Sequence, residues 1–429
     1  MHIRLNISQK ITLLLFVVFV LNTINSYAQE NTFDKTNITI TPIVNFQAWA
    51  TYTLDYEVYN IDRQNYEAVD NRLNFMMRRM NLGFKGKAFN QFSYVLLGAF
   101  DFIGKDLLAG TVGIGNNGGS PIFRLWTAKV GWKAYQDNDL LHLTFGYMTP
   151  MLGRSSNNSA FRIGSFEKAW SQNYIRRHTV GTGPGRAVGF NAGGQYKNEE
   201  NGKFAIDYNL GLFNPSFPSL GGNSAGIAQS PLLTYRVAFH FGEPEFAQYN
   251  NGHKHNYFGK RNGLTLAFSG SENGKMASWD VSRSYGVDFL ANWGGFNLGG
   301  EWMTLYRSSA NIGEASSQTG YIRLSYNIPM GARNLEPVVT YVFFNGETTD
   351  DGQERARNLG ALSGEDRYFE LTLNYYFSPS VYLSLAYIDR SGSSGSSGDG
   401  FGGNNYFFQG GVGSIKRGDY LGLGFVFLL

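Results

Sequence analysis

The feature that most restricts this chain is an alternation of apolar and polar residues with a period of two, repeated in segment after segment. Phe369, Leu371, Leu373, Tyr375 and Phe377 alternate with Tyr368, Glu370, Thr372, Asn374 and Tyr376. Phe204, Ile206, Tyr208, Leu210 and Leu212 alternate with Ala205, Asp207, Asn209 and Gly211. The pattern returns in Leu141, Leu143, Phe145 and Tyr147, and again in Ile322, Leu324, Tyr326 and Ile328. Successive side chains of an extended strand point to opposite faces, so each segment reads as a strand with one apolar and one polar face. At about ten residues each, the segments have the length of tilted strands that cross a bilayer.

About sixteen such segments start near Ile38, Leu73, Phe92, Arg124, Leu140, Arg186, Phe204, Leu232, Asn262, Asp280, Gly295, Gln318, Asn334, Glu365, Ser380 and Asp419. An even number suits an all-β, antiparallel up-and-down barrel. The connections alternate in length. Residues 53–72, 103–123, 149–185, 214–231, 346–364 and 390–418 are long; 89–91, 136–139, 198–202, 294–295, 329–333 and 378–380 are short. Long outer loops and short periplasmic turns are the habit of membrane barrels. The connection 243–261 breaks the rule: it is long where a short turn belongs, and reads either as a long turn or as a misplaced strand boundary. A soluble β-sandwich also alternates, but so many long strands with alternating connections would be unusual for it.

The N-terminus indicates the compartment. A basic, polar stretch to Lys10 precedes the apolar run ITLLLFVVFVL, and Ser26-Tyr27-Ala28 supplies small residues before Gln29. This reads as a signal peptide over residues 1–28, followed by a single barrel domain over 29–429. No later window of about 20 apolar residues marks a spanning helix. A chain that spans the membrane must then do so as a closed barrel, because lipid offers no partner to an unpaired backbone group. Low charge, 16%, with 16% aromatics and 54 glycines, fits strands, turns and interfacial rings. The last strand, from Tyr420 to Leu429, sets Leu421, Leu423, Phe425, Phe427 and Leu429 on one face.

Other classes are disfavoured. With no cysteine there is no disulfide, thiolate zinc site or cysteine nucleophile. Two of the 36 basic residues, Arg4 and Lys10, lie in the leader, which leaves 34 against 33 acidic residues; this is no nucleic-acid footprint. Gly113-Ile114-Gly115-Asn116-Asn117-Gly118 matches G-x-G-x-x-G, but no helical pattern follows it. Gly181-Thr182-Gly183-Pro184-Gly185 reads as a loop. His253 and His255 form no complete metal set and read as a surface turn. The run 391–403 is a low-complexity outer loop, and Asp350-Asp351 near Glu347 and Glu354 reads as a solvated acidic loop. No catalytic set, cofactor or metal site is legible.

Several segments resemble the phosphate-selective porin O and P family. Residues 71–101 are similar to its early Arg-rich strand with Gly83-Phe84-Lys85-Gly86. Residues 128–152, with Gly146 and Pro150, resemble a strand pair of that family. Residues 186–214 end in the familiar Gly211-Leu212-Phe213-Asn214, and 284–302 carry Tyr285-Gly286-Val287-Asp288 and Gly299-Gly300-Glu301. The resemblance implies an integral outer-membrane barrel of about sixteen strands, often a homotrimer, with an inward-folded third loop and selectivity for phosphate or other anions.

The third long connection carries the chemistry. It holds Arg154, Arg162, Lys168, Arg176, Arg177 and Arg186 against one acid, Glu167. Folded inward, these side chains would line the narrowest passage, where rings of Arg or Lys select anions. Folded outward, they would meet lipopolysaccharide or a neighbouring subunit. Ser165 to Trp170 is predicted to form a short helix capped by Ser165. On the strands, Arg79, Lys85, Lys87 and Arg323 are expected to face the lumen together with Asp207, Asp288, Glu301 and Glu370. These charges predict a cross-lumen field with interstrand pairs. Two functions follow: a diffusion channel for small solutes with a mild anion preference, or a lipid-embedded barrel whose outer loops bind a partner.

Overall fold

The computed structural model describes residues 38–106, 108, 122–198, 202–215, 230–393, 405–409 and 412–429. The leader, the glycine motif at 113–118 and most of the low-complexity run lie outside these residues. The chain forms one closed antiparallel barrel of 16 strands. In order they are β1 (Ile38–Thr53), β2 (Leu73–Ala88), β3 (Phe92–Ile103), β4 (Arg124–Lys133), β5 (His142–Met148), β6 (Ala187–Lys197), β7 (Phe204–Asn214) and β8 (Leu232–Gly242). There follow β9 (Gly263–Asn273), β10 (Val281–Trp293), β11 (Phe296–Ser309), β12 (Gly313–Tyr326), β13 (Arg333–Asn345), β14 (Glu365–Ser378), β15 (Val381–Ser391) and β16 (Tyr420–Leu428). Each strand pairs with its neighbour in sequence. The ring closes where β1 pairs with β16, from Asn45 opposite Leu428 to Thr53 opposite Tyr420.

The sequence-based strand starts agree with these to within a residue or two, with one larger difference. β12 begins at Gly313 instead of near Gln318. Its first residues, GEASS, are polar or small on both faces, so no alternation marks them.

The two faces are inverted relative to a soluble protein. On β14 the outward Phe369, Leu371, Leu373 and Phe377 are 39–45% exposed, while the inward Tyr368, Glu370, Thr372 and Asn374 are buried. The last strand repeats this, with Leu421, Leu423, Phe425 and Phe427 outward. An exposed apolar band of this extent is stable only against lipid. Trp293, Phe296 and Tyr326 stand exposed at the turn-side rim, where aromatic rings suit the membrane interface.

Among the described residues, two connections fill the interior. The third loop, 149–186, contains long runs of buried residues, and the fourth turn, 243–262, buries Glu245, Phe246, His253, His255, Asn256 and Arg261. The long 243–261 segment is therefore a real connection between β8 and β9, not a misplaced boundary. Beyond the barrel on the loop side, Glu57–Asn60, Asn65–Ala68, Tyr406–Gln409 and Gly413–Lys416 form a separate four-stranded sheet. The acidic stretch near Asp350 is a helix, Asp350–Asn358, whose Thr349 side chain accepts from the Gly352 N–H and whose Asp350 and Asp351 lie at its positive end.

Leu385 on β15 is 56% exposed and pairs with Leu373 and Leu423 in the middle of the outward band. Leu385→Arg is expected to cost about 2–4 kcal/mol of folding stability in vesicles, as a charge near the bilayer centre does. Urea titration with Leu385→Ala as the size control measures it; equal stability of the two variants would rule out a lipid-facing Leu385.

Candidate pore constriction

Two β-bulges aim extra side chains into the lumen. On β2 the buried, inward residues run Asn74, Met76, Arg78, then Arg79 and Asn81. The phase changes because Gln47 pairs with Arg79 while Ala48 pairs with Met77, which leaves Arg78 as the extra residue. Both arginines therefore point inward. On β4 the same happens at Trp126: Leu97 pairs with Thr127 and Gly98 with Leu125. Arg124, Trp126, Thr127 and Lys129 all face the same interior space.

The third loop enters from the opposite side. It carries two helices, α1 (Arg154–Asn157) and α2 (Ser171–Thr179), and is stapled to the wall by strand carboxylates. Glu301 of β11 accepts from the Ser155 N–H at 2.9 Å and from its hydroxyl. Glu370 of β14 accepts from the Phe166 N–H at 2.7 Å. Asp366 of β14 accepts from the Tyr174 hydroxyl at 2.8 Å. Phe166 stacks on Trp49 at 4.3 Å and rests over Gly422, where an added Cβ would meet its ring at 2.5 Å.

The expected helix from Ser165 to Trp170 does not form. Ser165 Oγ donates to the Glu167 carbonyl at 2.6 Å, and the Phe166 N–H is held by Glu370. Glu167 crosses to the other wall, where Arg78 meets it at 2.6 Å and Arg79 donates to its second oxygen. Ties to both walls hold residues 165–170 out of a helical turn, and the helix forms one step later, in α2.

The fourth turn also folds inward, so His253 and His255 are 2% and 1% exposed and do not form the expected surface turn. Its Glu245 binds Arg154 of the third loop through both carboxylate oxygens, one at 3.0 Å. Arg154 also meets Asp288 of β10 at 3.3 Å, and Asp288 accepts from Arg236 of β8 at 2.8 and 3.0 Å. Arg154 is thus fully buried among carboxylates and turned away from the remaining open space.

That space is a cavity of about 560 Å³ between the third loop and β2, β3 and β4. Among the described residues, Arg78, Arg79, Arg124, Lys129, Lys168, Arg176, Arg177 and Arg186 line it, against Asp101 and Glu167. Both acids are paired, Asp101 with Arg124 and Glu167 with Arg78 and Arg79. Arg186 lies over the Trp126 ring at 3.6 Å, on the opposite side of the loop from Arg154. Arg176 donates to the Ser156 carbonyl at 2.6 Å. Among the described residues no carboxylate forms an ion pair with Arg176, Arg186, Lys129 or Lys168.

The remaining sequence candidates are distributed elsewhere. Arg162 is exposed, outside the residues that line this cavity. Lys85 and Lys87 are exposed near the turn-side end of β2. Arg323 is buried on β12 and donates to Thr340 at 3.1 Å. Asp207 of β7 pairs with His240 of β8 at 2.8 Å. The lumen acids therefore hold loops and neighbouring strands in place, while Lys129, Lys168, Arg176 and Arg186, which form no ion pair with a carboxylate among the described residues, gather in one chamber.

Comparison with known proteins agrees with this architecture. The family model for phosphate-selective porin O and P matches residues 46–399. The chain belongs to that family. It is an integral outer-membrane porin, a channel for solute diffusion. No curated protein sequence matches it. Among solved structures, the outer membrane channel DcaP of Acinetobacter baumannii is similar at 14% identity, covering 93% of this chain and 99% of that one, with a TM-score of 0.53. An anion-selective porin from Comamonas acidovorans has 11% identity, 91% and 100% coverage and a TM-score of 0.53. OmpF of Salmonella typhi has 12% identity, 93% and 100% coverage and a TM-score of 0.52. At these identities the likeness concerns the fold.

In this porin the loop charges are tuned by their surroundings. Burial alone would raise the Glu167 carboxyl, but the Arg78 and Arg79 guanidiniums outweigh it and hold the group at about 2. Burial brings Arg176 and Arg177 down to about 10, which leaves both charged at neutral pH. Lys168 is pushed well below its ordinary value by burial and then by Arg176, Arg79 and Arg186. Arg186 is likewise pushed well below its ordinary value, by burial and then by Arg176, so Arg176 and Arg177 are the firmer charges of the loop.

Sequence reasoning missed Arg78, Arg124, Lys129 and Trp126. For Arg78 the signal was present in the adjacent pair Arg78-Arg79, since strict alternation would aim one of them at lipid.

Two outcomes follow for this porin. Arg154→Ala leaves Glu245 buried without its strongest partner and is expected to destabilise the barrel by about 3–5 kcal/mol, measured by urea unfolding in vesicles. The Glu167 carboxyl is lowered on folding, so its stabilising contribution is complete above about pH 4.5 and is lost as pH falls toward 2. Channel current noise from the third loop is therefore expected to stay flat from pH 8 to 5 and rise only in stronger acid. Glu167→Gln should show that noise already at pH 7; a quiet Glu167→Gln channel would rule out this anchor.

Proposed function

We propose that this porin is a passive channel that favours anions, with the preference set by the chamber between the third loop and the β2–β4 wall. The observation that carries the reading is the segregation of charge: eight basic side chains line about 560 Å³ whose two acids among the described residues are already paired. Guanidiniums suit phosphate or carboxylate oxygens in transit, because their planar donors match those oxygens. Arg176, Arg177 and Arg186 of the third loop, with Arg124 and Lys129 of β4, are the residues we assign to this role. Arg154 is assigned to structure, and Arg162, Lys85 and Lys87 lie outside the chamber. Arg78, Arg79 and Arg124 are paired with carboxylates, Arg176 donates to the Ser156 carbonyl, and Arg186 donates to the Pro184 carbonyl and lies over Trp126, so an anion gains only part of their donor sets and can leave again, as conduction requires.

Residues 1–28 are read as the cleaved leader and the rest as one barrel domain, with diffusion and no catalysis. A homotrimer is our reading of the assembly, supported by an outward apolar groove in which Ala48 and Ala50 allow close approach beside Phe75 and Leu423. The outer rim would face lipopolysaccharide.

The test is single-channel recording of the mature barrel in KCl gradients. An anion-biased reversal potential is expected, falling toward zero in Arg124→Ala/Arg176→Ala/Arg177→Ala/Arg186→Ala. Arg162→Ala should leave it in place. A wild-type channel with no anion bias would overturn the reading.

A further inference from the structure

The fourth turn lies on the side of the short connections, yet it is as long as an outer loop and is fastened along its length. Gln195 of β6 donates to the Phe246 carbonyl at 3.3 Å. The Tyr249 N–H donates to Asp139 at 3.1 Å, and the Tyr249 hydroxyl donates to Asn209 of β7. His142 of β5 lies against the Tyr249 ring at 4.8 Å. Asn256 and Asn327 exchange two amide hydrogen bonds, at 2.8 and 2.9 Å. Together with the Glu245–Arg154 pair, these contacts make the segment a fixed part of the lumen wall.

This segment stands in the water path. The basic chamber extends to Lys129, Asn251 and Gly252. A second cavity, of about 130 Å³, shares Lys129 and Asn251 with it and continues toward the turn side, between Ser93, His142, Thr144 and Tyr249. A solute leaving the chamber in that direction passes between Lys129 on β4 and residues 249–251. Past Lys129 the lining combines hydroxyl, amide and imidazole groups with Val95 and Gly131, and holds no carboxylate among the described residues. Such a surface replaces water around a solute without adding a net charge, so it discriminates by size and hydrogen bonding.

We propose that Tyr249, Asn250 and Asn251 form a second constriction, opposite Lys129, which sets the size limit at the periplasmic exit of the channel. The loop arginines act on charge upstream of it. The proposal rests on the diffusion channel and is independent of the anion preference.

The chain contains no cysteine, so Asn251→Cys introduces a single thiol. The full mature barrel carrying it is recorded in a planar bilayer before and after a bulky uncharged methanethiosulfonate, with complete modification verified by mass. Single-channel conductance is expected to fall by about half or more, because a narrow segment in series dominates the resistance, while the reversal potential stays where it was. Complete modification with unchanged conductance overturns the proposal. Asn251→Gly in liposome swelling is the second measurement: entry of larger solutes should rise relative to small ones, and an unchanged ratio overturns it as well. Failure of the anion reading shows instead in the reversal potential of the unmodified channel.

Discussion

Closure of the sheet is the constraint on which everything else depends. Lipid cannot hydrogen-bond a free N–H or C=O, so the first strand must find the last, and β1 does so along Asn45 to Thr53. Once the ring is shut, inside and outside are defined for every strand. Outward residues must be apolar and inward residues are free to be charged. A ring of 16 strands is also too wide for its own side chains to fill. The lumen is therefore shaped by connections that turn back into it.

Among the described residues two connections do this, from opposite ends, and a buried cluster joins them. Arg154 from the third loop meets Glu245 from the fourth turn, with Asp288 and Arg236 completing the set from the wall. Such a cluster adds little stability compared with an apolar core, but removing one member leaves the others charged and dry. Its effect is to fix one arrangement of the two segments.

The same economy of carboxylates organises the pore. Glu301, Glu370 and Asp366 hold the third loop by its backbone and side chains, and Asp207 and Asp288 serve neighbouring strands. With the acids committed on that side, cations on the far side of the loop meet cations from β2 and β4. A nearly neutral chain thus acquires a strongly basic chamber. Two bulges sharpen it by turning Arg78 beside Arg79 and Trp126 beside Thr127 into the lumen.

The barrel was legible in the residues alone. Alternation with a period of two is a local property, written in adjacent residues, so strand number, strand faces and most strand ends were legible without coordinates. So was the identity of the third loop as the basic one. The bulge at Arg78, the inward course of 243–262 and the division of loop cations into structural and chamber-lining sets were decided only by the tertiary structure. Each depends on which distant carboxylate a side chain meets. Arg154 and Arg176 are equivalent in sequence terms, two arginines in one loop. They differ because Glu245 and Asp288 lie against the first, while no carboxylate among the described residues pairs with the second.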